Sequence, residues 1–154
     1  MEKNCLRSDD PGEDLGFLIW QIMKIWQRGK HRVLDEFGLT GSQMEVLSAA
    51  YHLSEAGQEV TQIAISNMTS VDPMTTSTIL RNLQKKKLIN RKLSETDTRA
   101  RIVEITEEGN DLFSKAITKV KEATDILLKE IDENALKEQL RILLNVLTKL
   151  NQSN

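Results

Sequence analysis

The chain has 154 residues, enough for a single domain, and its 39% apolar and 29% charged side chains are typical of a soluble globular protein. It contains no run of about 18 apolar residues, so no membrane-spanning helix is expected. Its single cysteine, Cys5, excludes an intrachain disulfide and fits a reducing cytoplasm. Residues 1–14 are acidic and lack an apolar segment, which predicts a flexible N-terminal segment and no signal peptide.

The net charge of −2 is unevenly distributed along the chain. Residues 72–101 contain eight Lys or Arg against three Asp or Glu, an excess of +5, whereas residues 1–14 contain two against five. A basic segment between acidic flanks indicates a phosphate-binding surface of limited area. Charges can also cluster by chance in a chain of this composition, so the local motifs have to decide between the two interpretations.

The first predicted helix covers residues 15–26 and is apolar on nearly every side, with nine apolar residues among twelve. A surface helix needs only one apolar stripe. This helix is therefore either the centre of a large core, which 154 residues scarcely permit, or it is covered by a second subunit. The second interpretation is favoured, and it predicts a homodimer.

Two helix start signals follow in the next part of the chain. Thr40 and Gln43 have the spacing of a capping box, in which each side chain satisfies the other residue's backbone N–H, and they predict a helix over residues 42–54. Thr61 can cap a short helix, and a turn is predicted at residues 69–71. A short helix followed by a turn is the first half of a helix-turn-helix motif.

The second helix of this motif begins at Asp72-Pro73, because Asp is a favoured N-cap and Pro a favoured first helical residue. It is predicted over residues 73–86, and its first turns carry four hydroxyl residues in succession, a poor choice for helix stability. Short hydroxyls suit phosphate and base-edge contacts, although they can also cap local backbone donors, and lysines near the helix end can simply complement its dipole. The candidate DNA-contacting residues are Met74, Thr75, Thr76, Ser77, Thr78, Arg81, Lys85 and Lys86, and the predicted buried residues are Ile79, Leu80 and Leu83.

Two short strands are predicted next, over residues 88–93 and 101–105, and the polar turn between them contains Asp97 and Arg99. A two-stranded ribbon with arginines at its tip, placed after a Lys-rich helix end, suits a protein that straddles DNA. The helix can enter a major groove while the tip reaches the adjacent minor groove. Arg101 either contacts DNA as well or pairs with Asp97.

The C-terminal part is helical. A long helix is predicted to start at Thr106, followed by two glutamates that favour the positive end of its dipole, and Asp132 is predicted to cap a last helix. The apolar stripe of the long helix consists of Leu112, Phe113, Ala116, Ile117, Val120, Leu127 and Ile131, and that of the last helix of Leu136, Leu140, Leu143, Leu144, Leu147 and Leu150.

These elements predict a mainly α fold with a small β-hairpin wing. We expect one domain over residues 15–150, in which residues 40–105 form a winged helix-turn-helix lobe. Residues 15–37 and 106–150 are predicted to form a helical dimerisation lobe, because apolar helices from both ends of the chain flank the helix-turn-helix.

The order of elements and two motifs resemble MarR-type transcriptional regulators over about residues 15–150. The wing reads Asp97-x-Arg99-x-x-x-Val103-x-Ile105-Thr106-x-x-Gly109, and the second helix opens with Leu39-Thr40-x-x-Gln43-x-x-Val46-Leu47. The resemblance implies a homodimer in which each subunit inserts one helix into the major groove of a half-site of a pseudo-palindromic operator. It also implies that Arg99 enters the minor groove, that Asp97 supports the wing, and that a small lipophilic or aromatic effector binds between the dimerisation and DNA-binding lobes.

The sequence departs from the family pattern in two places. Lys87 stands where the family usually has a glycine that ends the recognition helix in a left-handed conformation. Because lysine is strained at positive φ, either the helix ends differently here or the extra charge contacts phosphate. Cys5 lies about ten residues before the sensing cysteine of one branch of the family, so no peroxide-sensing role is transferred to it.

The sequence therefore predicts a sequence-specific regulator that binds double-stranded DNA, most simply a dimeric repressor whose affinity a small ligand modulates. The alternative is a winged-helix module that binds protein and not DNA. No enzyme motif is present, and His31 and His52 have no partner at metal-ligand spacing, so no catalytic, cofactor or metal site is expected. The predicted location is the cytoplasm of a bacterium or archaeon, with the protein associated with the nucleoid when it binds DNA.

Overall fold

A computed structural model describes residues 14–94 and 101–152. The first 13 residues, with Cys5, and the predicted wing tip, with Asp97 and Arg99, lie outside the described residues. The chain divides into two compact units, residues 1–117 and residues 118–154. In chain order the elements are α1 (Leu15–Asp35), α2 (Gly41–Glu55), α3 (Gln62–Thr69), α4 (Pro73–Lys85), β1 (Ile89–Leu93), β2 (Arg101–Ile105), α5 (Glu107–Leu127) and α6 (Glu133–Gln152).

The predicted fold class is confirmed, because six helices accompany one antiparallel two-stranded hairpin in the described part of the chain. Within the described ranges, no helix is both long enough and apolar enough to cross a membrane. The buried apolar residues all lie between Leu34 and Ala116. The described core therefore belongs to the unit formed by residues 1–117.

The capping box at the start of α2 is confirmed. The Thr40 hydroxyl accepts a hydrogen bond from the Gln43 N–H at 3.2 Å, and the Gln43 Oε1 accepts one from the Thr40 N–H at 3.2 Å. The helix is one residue longer at each end than predicted. Its apolar side chains, among them Val46 and Leu47, are buried in the core of this unit.

The turn of the helix-turn-helix is held by two buried hydroxyls. The Val71 carbonyl accepts hydrogen bonds from Ser66 Oγ on α3 at 2.6 Å and from Thr76 Oγ1 on α4 at 3.3 Å. Ser70, between the two helices, has a left-handed backbone with φ of 54°. Because both hydroxyls are buried, they fix the chain reversal from inside the unit and satisfy a carbonyl that burial would otherwise leave unpaired.

The start and the buried face of α4 agree with the prediction. The Asp72 carboxylate accepts a hydrogen bond from the Thr75 N–H at 2.9 Å, and Pro73 occupies the first turn. Hydrogen bonds from the Thr75 side chain, and next from its backbone, hold the pKa of Asp72 below its ordinary value. The buried residues of α4 include the predicted Ile79, Leu80 and Leu83, and Thr76 is buried with them.

The structure contradicts the alternative that α4 ends differently because Lys87 replaces a glycine. Lys87 takes the left-handed conformation with φ of 61°, so the helix ends as it would with a glycine at this position. The Leu88 N–H bonds the Leu83 carbonyl at 3.1 Å, and the Lys87 N–H bonds the Gln84 carbonyl at 2.9 Å. This is a Schellman ending, and the two buried leucines supply its usual hydrophobic contact.

The hairpin is anchored to the start of α3. β1 and β2 pair antiparallel, with Arg91 opposite Val103 and Leu93 opposite Arg101. On its other side, β2 joins the segment before α3, because the Val103 N–H bonds the Val60 carbonyl at 2.8 Å. The wing is therefore attached to the helix-turn-helix by backbone hydrogen bonds at its base.

The Thr-x-x-Gly end of the wing motif has a steric and a hydrogen-bonding explanation. The Thr106 hydroxyl accepts from the Gly109 N–H at 3.0 Å, which caps α5, and donates to the Lys87 carbonyl at 2.8 Å. A Cβ at Gly109 would lie 2.0 Å from the carbonyl oxygen of Leu88. Only glycine allows the start of α5 to approach the end of α4 this closely.

The unit formed by residues 118–154 has a different character. Asp132 caps α6 as predicted, accepting from the Ala135 N–H at 3.0 Å, but α5 ends at Leu127, so Ile131 lies between the two helices and not in the stripe assigned to it. No residue whose side chain is described between 118 and 151 is buried. The exposed large apolar residues of this unit are Ile126, Ile131, Leu140, Ile142, Leu144, Val146, Leu147 and Leu150.

Candidate nucleic-acid interface

One exposed face of α4 collects most of the candidate residues predicted on this helix. Met74, Thr78, Arg81 and Lys85 follow one another at helical spacing and therefore lie on one side of the helix. All four are exposed, and Met74 exposes 82% of its surface. Thr75 is exposed beside them. The face combines an apolar tip, two hydroxyls and two positive charges, which can contact thymine methyls, base edges and phosphates.

The guanidinium of Arg81 is held along the surface of this helix. Its Nη2 donates to the Thr78 hydroxyl at 3.3 Å, and its Nε donates to the Ser77 carbonyl at 3.4 Å. The Thr78 hydroxyl in turn donates to the Met74 carbonyl at 3.1 Å. Arg81 is thus oriented before any partner arrives, which lowers the entropy lost on binding. Ser77 itself is half-buried and contributes its carbonyl to this arrangement.

Two of the predicted contact residues are used inside the protein. Thr76 is fully buried and its hydroxyl bonds the Val71 carbonyl, so it has no surface to offer to DNA. Lys86 donates to the Gly38 carbonyl and, at 3.0 Å, to the Gln43 Oε1. Its ammonium group therefore ties the end of α4 to the loop before α2, and the exposed face of α4 carries the positive charges of Arg81 and Lys85.

The wing contributes Arg101, which is exposed at the start of β2. Asp97 and Arg99 lie outside the described residues, so the minor-groove contact of Arg99 and the supporting role of Asp97 stay predictions. The same holds for a pairing between Arg101 and Asp97.

Sequence reasoning missed one arginine at this surface. Arg91 on β1 lies on the same face of the hairpin as Arg101. Arg101 stands opposite Leu93, and Leu93 lies two residues after Arg91 on β1, so all three side chains share one face. Its Nη2 donates to the Gln62 Oε1 on α3 at 3.0 Å, and Gln62 Nε2 donates to the Pro73 carbonyl at 3.2 Å. Burial lowers the pKa of the Arg91 guanidinium, and the positive charges of Arg101 and Arg81 lower it further.

A signal for Arg91 was present in the sequence. Ile89, Arg91 and Leu93 alternate on one face of β1, so a charge stands at a position where period-two alternation predicts an apolar side chain. A charged residue on the inward face of a strand is a functional candidate, because its desolvation has to be offset by a partner.

The same unit contains a cavity of about 630 Å³ beside the base of the wing. It lies between the end of α2, the hairpin and the start of α5, and its wall includes Tyr51, which stacks on Phe113 with ring centroids 5.1 Å apart. Apolar side chains such as Val60 and the carboxylates of three glutamates complete the wall. These glutamates are Glu55, Glu59 and Glu104.

A helix-turn-helix followed by a hairpin anchored to it, with a polar and basic outer helix face, defines a winged helix-turn-helix protein. Residues 28–116 match the family of SarA/Rot transcriptional regulators, which is more than half of the chain. The protein belongs to this family of transcriptional regulators. It is therefore a regulator and not an enzyme.

Individual relatives agree with this assignment. The chain is 32% identical over 107 residues to YdcH, an HTH-type transcriptional regulator of Bacillus subtilis strain 168, covering 70% of this chain and 73% of YdcH. Among solved structures, the complex of S. aureus MepR with DNA superposes with a TM-score of 0.78 at 25% identity, over 88% of this chain and 98% of MepR.

A third comparison extends the structural likeness. CouR of Rhodococcus jostii RHA1, solved with p-coumaroyl-CoA bound, superposes with a TM-score of 0.75 at 22% identity, over 90% of this chain and 95% of CouR. A MarR-family regulator of Rhodococcus sp. RHA1 has a TM-score of 0.76. The resemblance to MarR-type regulators drawn from the wing and second-helix motifs is thereby confirmed at the level of the fold.

Proposed function

We propose that this regulator is a homodimer that binds a pseudo-palindromic site in double-stranded DNA and represses transcription, with an affinity that a small ligand modulates. The observation that carries the proposal is the exposed face of α4, from Met74 through Thr78 and Arg81 to Lys85. This face lies at the outer helix of a helix-turn-helix, where the recognition helix of such proteins enters the major groove. MepR, the neighbour solved with DNA, shares the fold.

The dimeric state is supported by exposed apolar surface on two helices. α1 exposes Trp20, Ile22, Met23 and Ile25, and α6 exposes a row of leucines and isoleucines. Exposed apolar faces of this kind on a helix mark protein–protein interfaces. We therefore assign dimerisation to residues 15–37 and 106–150 and DNA binding to residues 40–105. Two recognition helices would then lie one helical turn of DNA apart, about 34–36 Å.

The ligand-responsive part of the proposal is supported by the cavity beside the wing. Its volume of about 630 Å³ is that of a small-molecule site. The backbone hydrogen bond between Val103 and Val60 crosses its wall, so an occupant can shift the wing relative to α3. An aromatic ring can stack beside Tyr51, while the carboxylates on the wall favour a neutral or cationic molecule over an anion.

The test is selection of genomic DNA fragments on the purified protein, followed by a salt titration of the best fragment. The proposal expects an enriched pseudo-palindrome that binds about a thousandfold or more tighter than random DNA. The proposal would be overturned if no fragment is enriched and binding is weak at all salt concentrations. The chain would then be a winged-helix module that binds protein, and the exposed face of α4 would be the surface to test with protein partners.

The wing is tested by Arg99→Ala, with Lys115→Ala as a control. Both substitutions remove one positive charge, but Lys115 pairs with Asp111 on α5 at 2.6 Å. Arg99→Ala should lower the DNA affinity about tenfold or more, the range for a charge-assisted contact, without lowering the melting temperature. Equal affinities for the two variants would remove the wing tip from the interface.

A protein with this activity works at the chromosome, in the cytoplasm of a bacterium or archaeon.

A further inference from the structure

We propose that Arg91, together with Arg81 and Arg101, binds one phosphodiester group of the DNA backbone between the recognition helix and the wing. The inference rests on the proposed DNA-binding function and adds to it a contact that the sequence motifs do not indicate. It assigns to β1, so far only a structural strand, a residue that touches DNA.

The three arginines come from three elements that meet at one place. Arg91 and Arg101 share one face of the hairpin, in diagonal positions of the antiparallel pair. α4, which carries Arg81, packs against β1. The positive charges of Arg101 and then Arg81 add to the larger effect of burial in lowering the pKa of Arg91. In the proposed complex, the DNA backbone between the major groove at α4 and the minor groove at the wing crosses this junction.

In the part of the chain that the structure describes, the arginine charges at the junction have no carboxylate partner. Among residues 14–94 and 101–152, no ion pair joins Arg81, Arg91 or Arg101 to a carboxylate. The Nε of Arg91 is buried and has no hydrogen-bond partner among the same residues. A partly buried guanidinium with an unpaired Nε and two positive neighbours is costly in the free protein. An anion that enters between the three groups removes this cost.

The neighbouring residue on the same strand shows the opposite arrangement. Lys92 points to the other face of β1, where it forms an ion pair with Glu104 on β2. Arg91 instead meets Gln62, whose neutral Oε1 accepts its Nη2 hydrogen at 3.0 Å. A glutamine orients the guanidinium and leaves its charge intact, whereas a glutamate would neutralise it.

Gln62 is itself fixed, because its Nε2 donates to the Pro73 carbonyl in the first turn of α4. The guanidinium is thus positioned from the recognition helix through two hydrogen bonds. A planar guanidinium held in this way matches two oxygens of a phosphate in bidentate geometry. These features favour a DNA phosphate as the ligand of Arg91.

The experiment compares Arg91→Met with Lys92→Met in salt titrations of binding to the selected DNA fragment. Both variants lose one positive charge from β1, but only the first loses the proposed contact. Arg91→Met should bind about tenfold to hundredfold more weakly. The slope of log affinity against log salt should fall in magnitude by about 0.9, the value for one phosphate contact. Lys92→Met should keep the wild-type slope.

The melting temperature separates a DNA contact from a structural role. Because the buried Nε of Arg91 has no partner among the described residues, Arg91→Met should melt at the wild-type temperature or above it. If Arg91 only supports the fold, this variant melts lower and its salt slope stays unchanged. That pair of results would overturn the inference.

Arg91→Lys and Gln62→Ala provide the second line of test if Arg91→Met folds poorly. The lysine variant retains the charge but not the planar fork, so its slope should equal that of the wild type while its affinity is lower. Gln62→Ala should also lower the affinity without changing the slope, because it removes only the orientation of Arg91. Wild-type affinity and slope in both variants would refute the inference and leave the DNA-binding function intact. A wild-type protein that binds no DNA fragment would overturn both.

Discussion

α4 and α6 are both amphipathic helices, but among the described residues only α4 buries its apolar side. α4 buries Ile79, Leu80 and Leu83 in the core of residues 1–117. α6 leaves its apolar side unburied, and Leu144 exposes 64% of its surface. The described part of the helix-turn-helix and its hairpin therefore packs on its own core, whereas α6 leaves its apolar face exposed among the described residues.

The size of this difference indicates what the second surface has to be. Full burial of a leucine side chain stabilises by roughly 1.5–3 kcal/mol, and α6 leaves several leucines exposed together with the apolar residues of α1. A small ligand cannot cover two helices of this length. A second copy of the chain can, and its exposed helices have the same apolar character, as a symmetric dimer requires.

The largest expected effect comes from placing a charge on the exposed face of α6. Leu144→Glu should convert the dimer to a monomer and lower the DNA affinity more than about hundredfold, because an unpaired charge in an apolar interface costs several kcal/mol. Sedimentation velocity and DNA titration measure the two effects. Asn145→Glu is the control, since Asn145 is an exposed polar residue next in the sequence. A dimeric Leu144→Glu protein would contradict the proposed role of α6.

The next largest effect is expected in the unit formed by residues 1–117. Gly109→Ala should lower the free energy of unfolding by more than about 2 kcal/mol, because the added Cβ would lie 2.0 Å from the Leu88 carbonyl oxygen. Chemical denaturation measures the change. Gly29→Ala in α1 is the control, since nothing lies within 4 Å of its Cβ position, and it should raise stability by up to about 1 kcal/mol. Equal responses of the two variants would mean that α4 and α5 are not packed so closely.

The helices and strands of the chain could be predicted from the sequence wherever a local signal specifies them. The capping box at Thr40, the caps at Thr61 and Asp72, and the cap of α6 at Asp132 all occupy their predicted places. Each depends on residues within one helical turn, so the sequence contains the whole interaction. The wing strands are equally local, because a polar turn joins two short apolar runs.

The predictions that failed depend on contacts between distant parts of the chain. Thr76 is the second of four hydroxyl residues in succession, and only the structure shows that it is buried and bonds the Val71 carbonyl. Lys86 is 48 residues from the Gly38 carbonyl that it bonds. Arg91 and Gln62 are 29 residues apart. No periodicity in the sequence reports such pairs, so the sequence could not indicate that Thr76 is buried or that Lys86 bonds the loop before α2. The DNA contacts of the exposed candidates stay predictions.

A smaller effect is expected at the end of α4. Lys87→Gly should raise the free energy of unfolding by about 0.5–1 kcal/mol, because lysine is strained at its φ of 61° and the larger entropy of glycine in the unfolded chain offsets part of the gain. Lys85→Gly removes the same charge from within the helix and should lower stability by about 1 kcal/mol. Thermal or chemical unfolding distinguishes them, and a destabilised Lys87→Gly protein would contradict the left-handed ending.

The smallest expected effect concerns the Asp72 N-cap of α4. It tests whether this cap depends only on residues of the same helical turn. The folded-state pKa of Asp72 lies below its ordinary value of 3.8, because the Thr75 side chain and backbone donate hydrogen bonds to the carboxylate. The unfolded chain therefore binds the proton more readily than the folded chain. The stability that the ionised carboxylate contributes is complete above about pH 3.8 and is lost as the pH falls through the lower pKa of the folded state. Asp72→Asn keeps a favoured N-cap without this titration.

The stability difference between wild type and Asp72→Asn should accordingly be constant from pH 7 to pH 5 and shift in favour of the asparagine variant below about pH 3.8. Urea unfolding at several pH values measures it. The shift should be the same at low and high protein concentration, because both partners belong to one turn of α4, whereas any effect that acts through the exposed faces of α1 and α6 depends on concentration. A concentration-dependent shift would show that the start of the recognition helix is coupled to dimerisation.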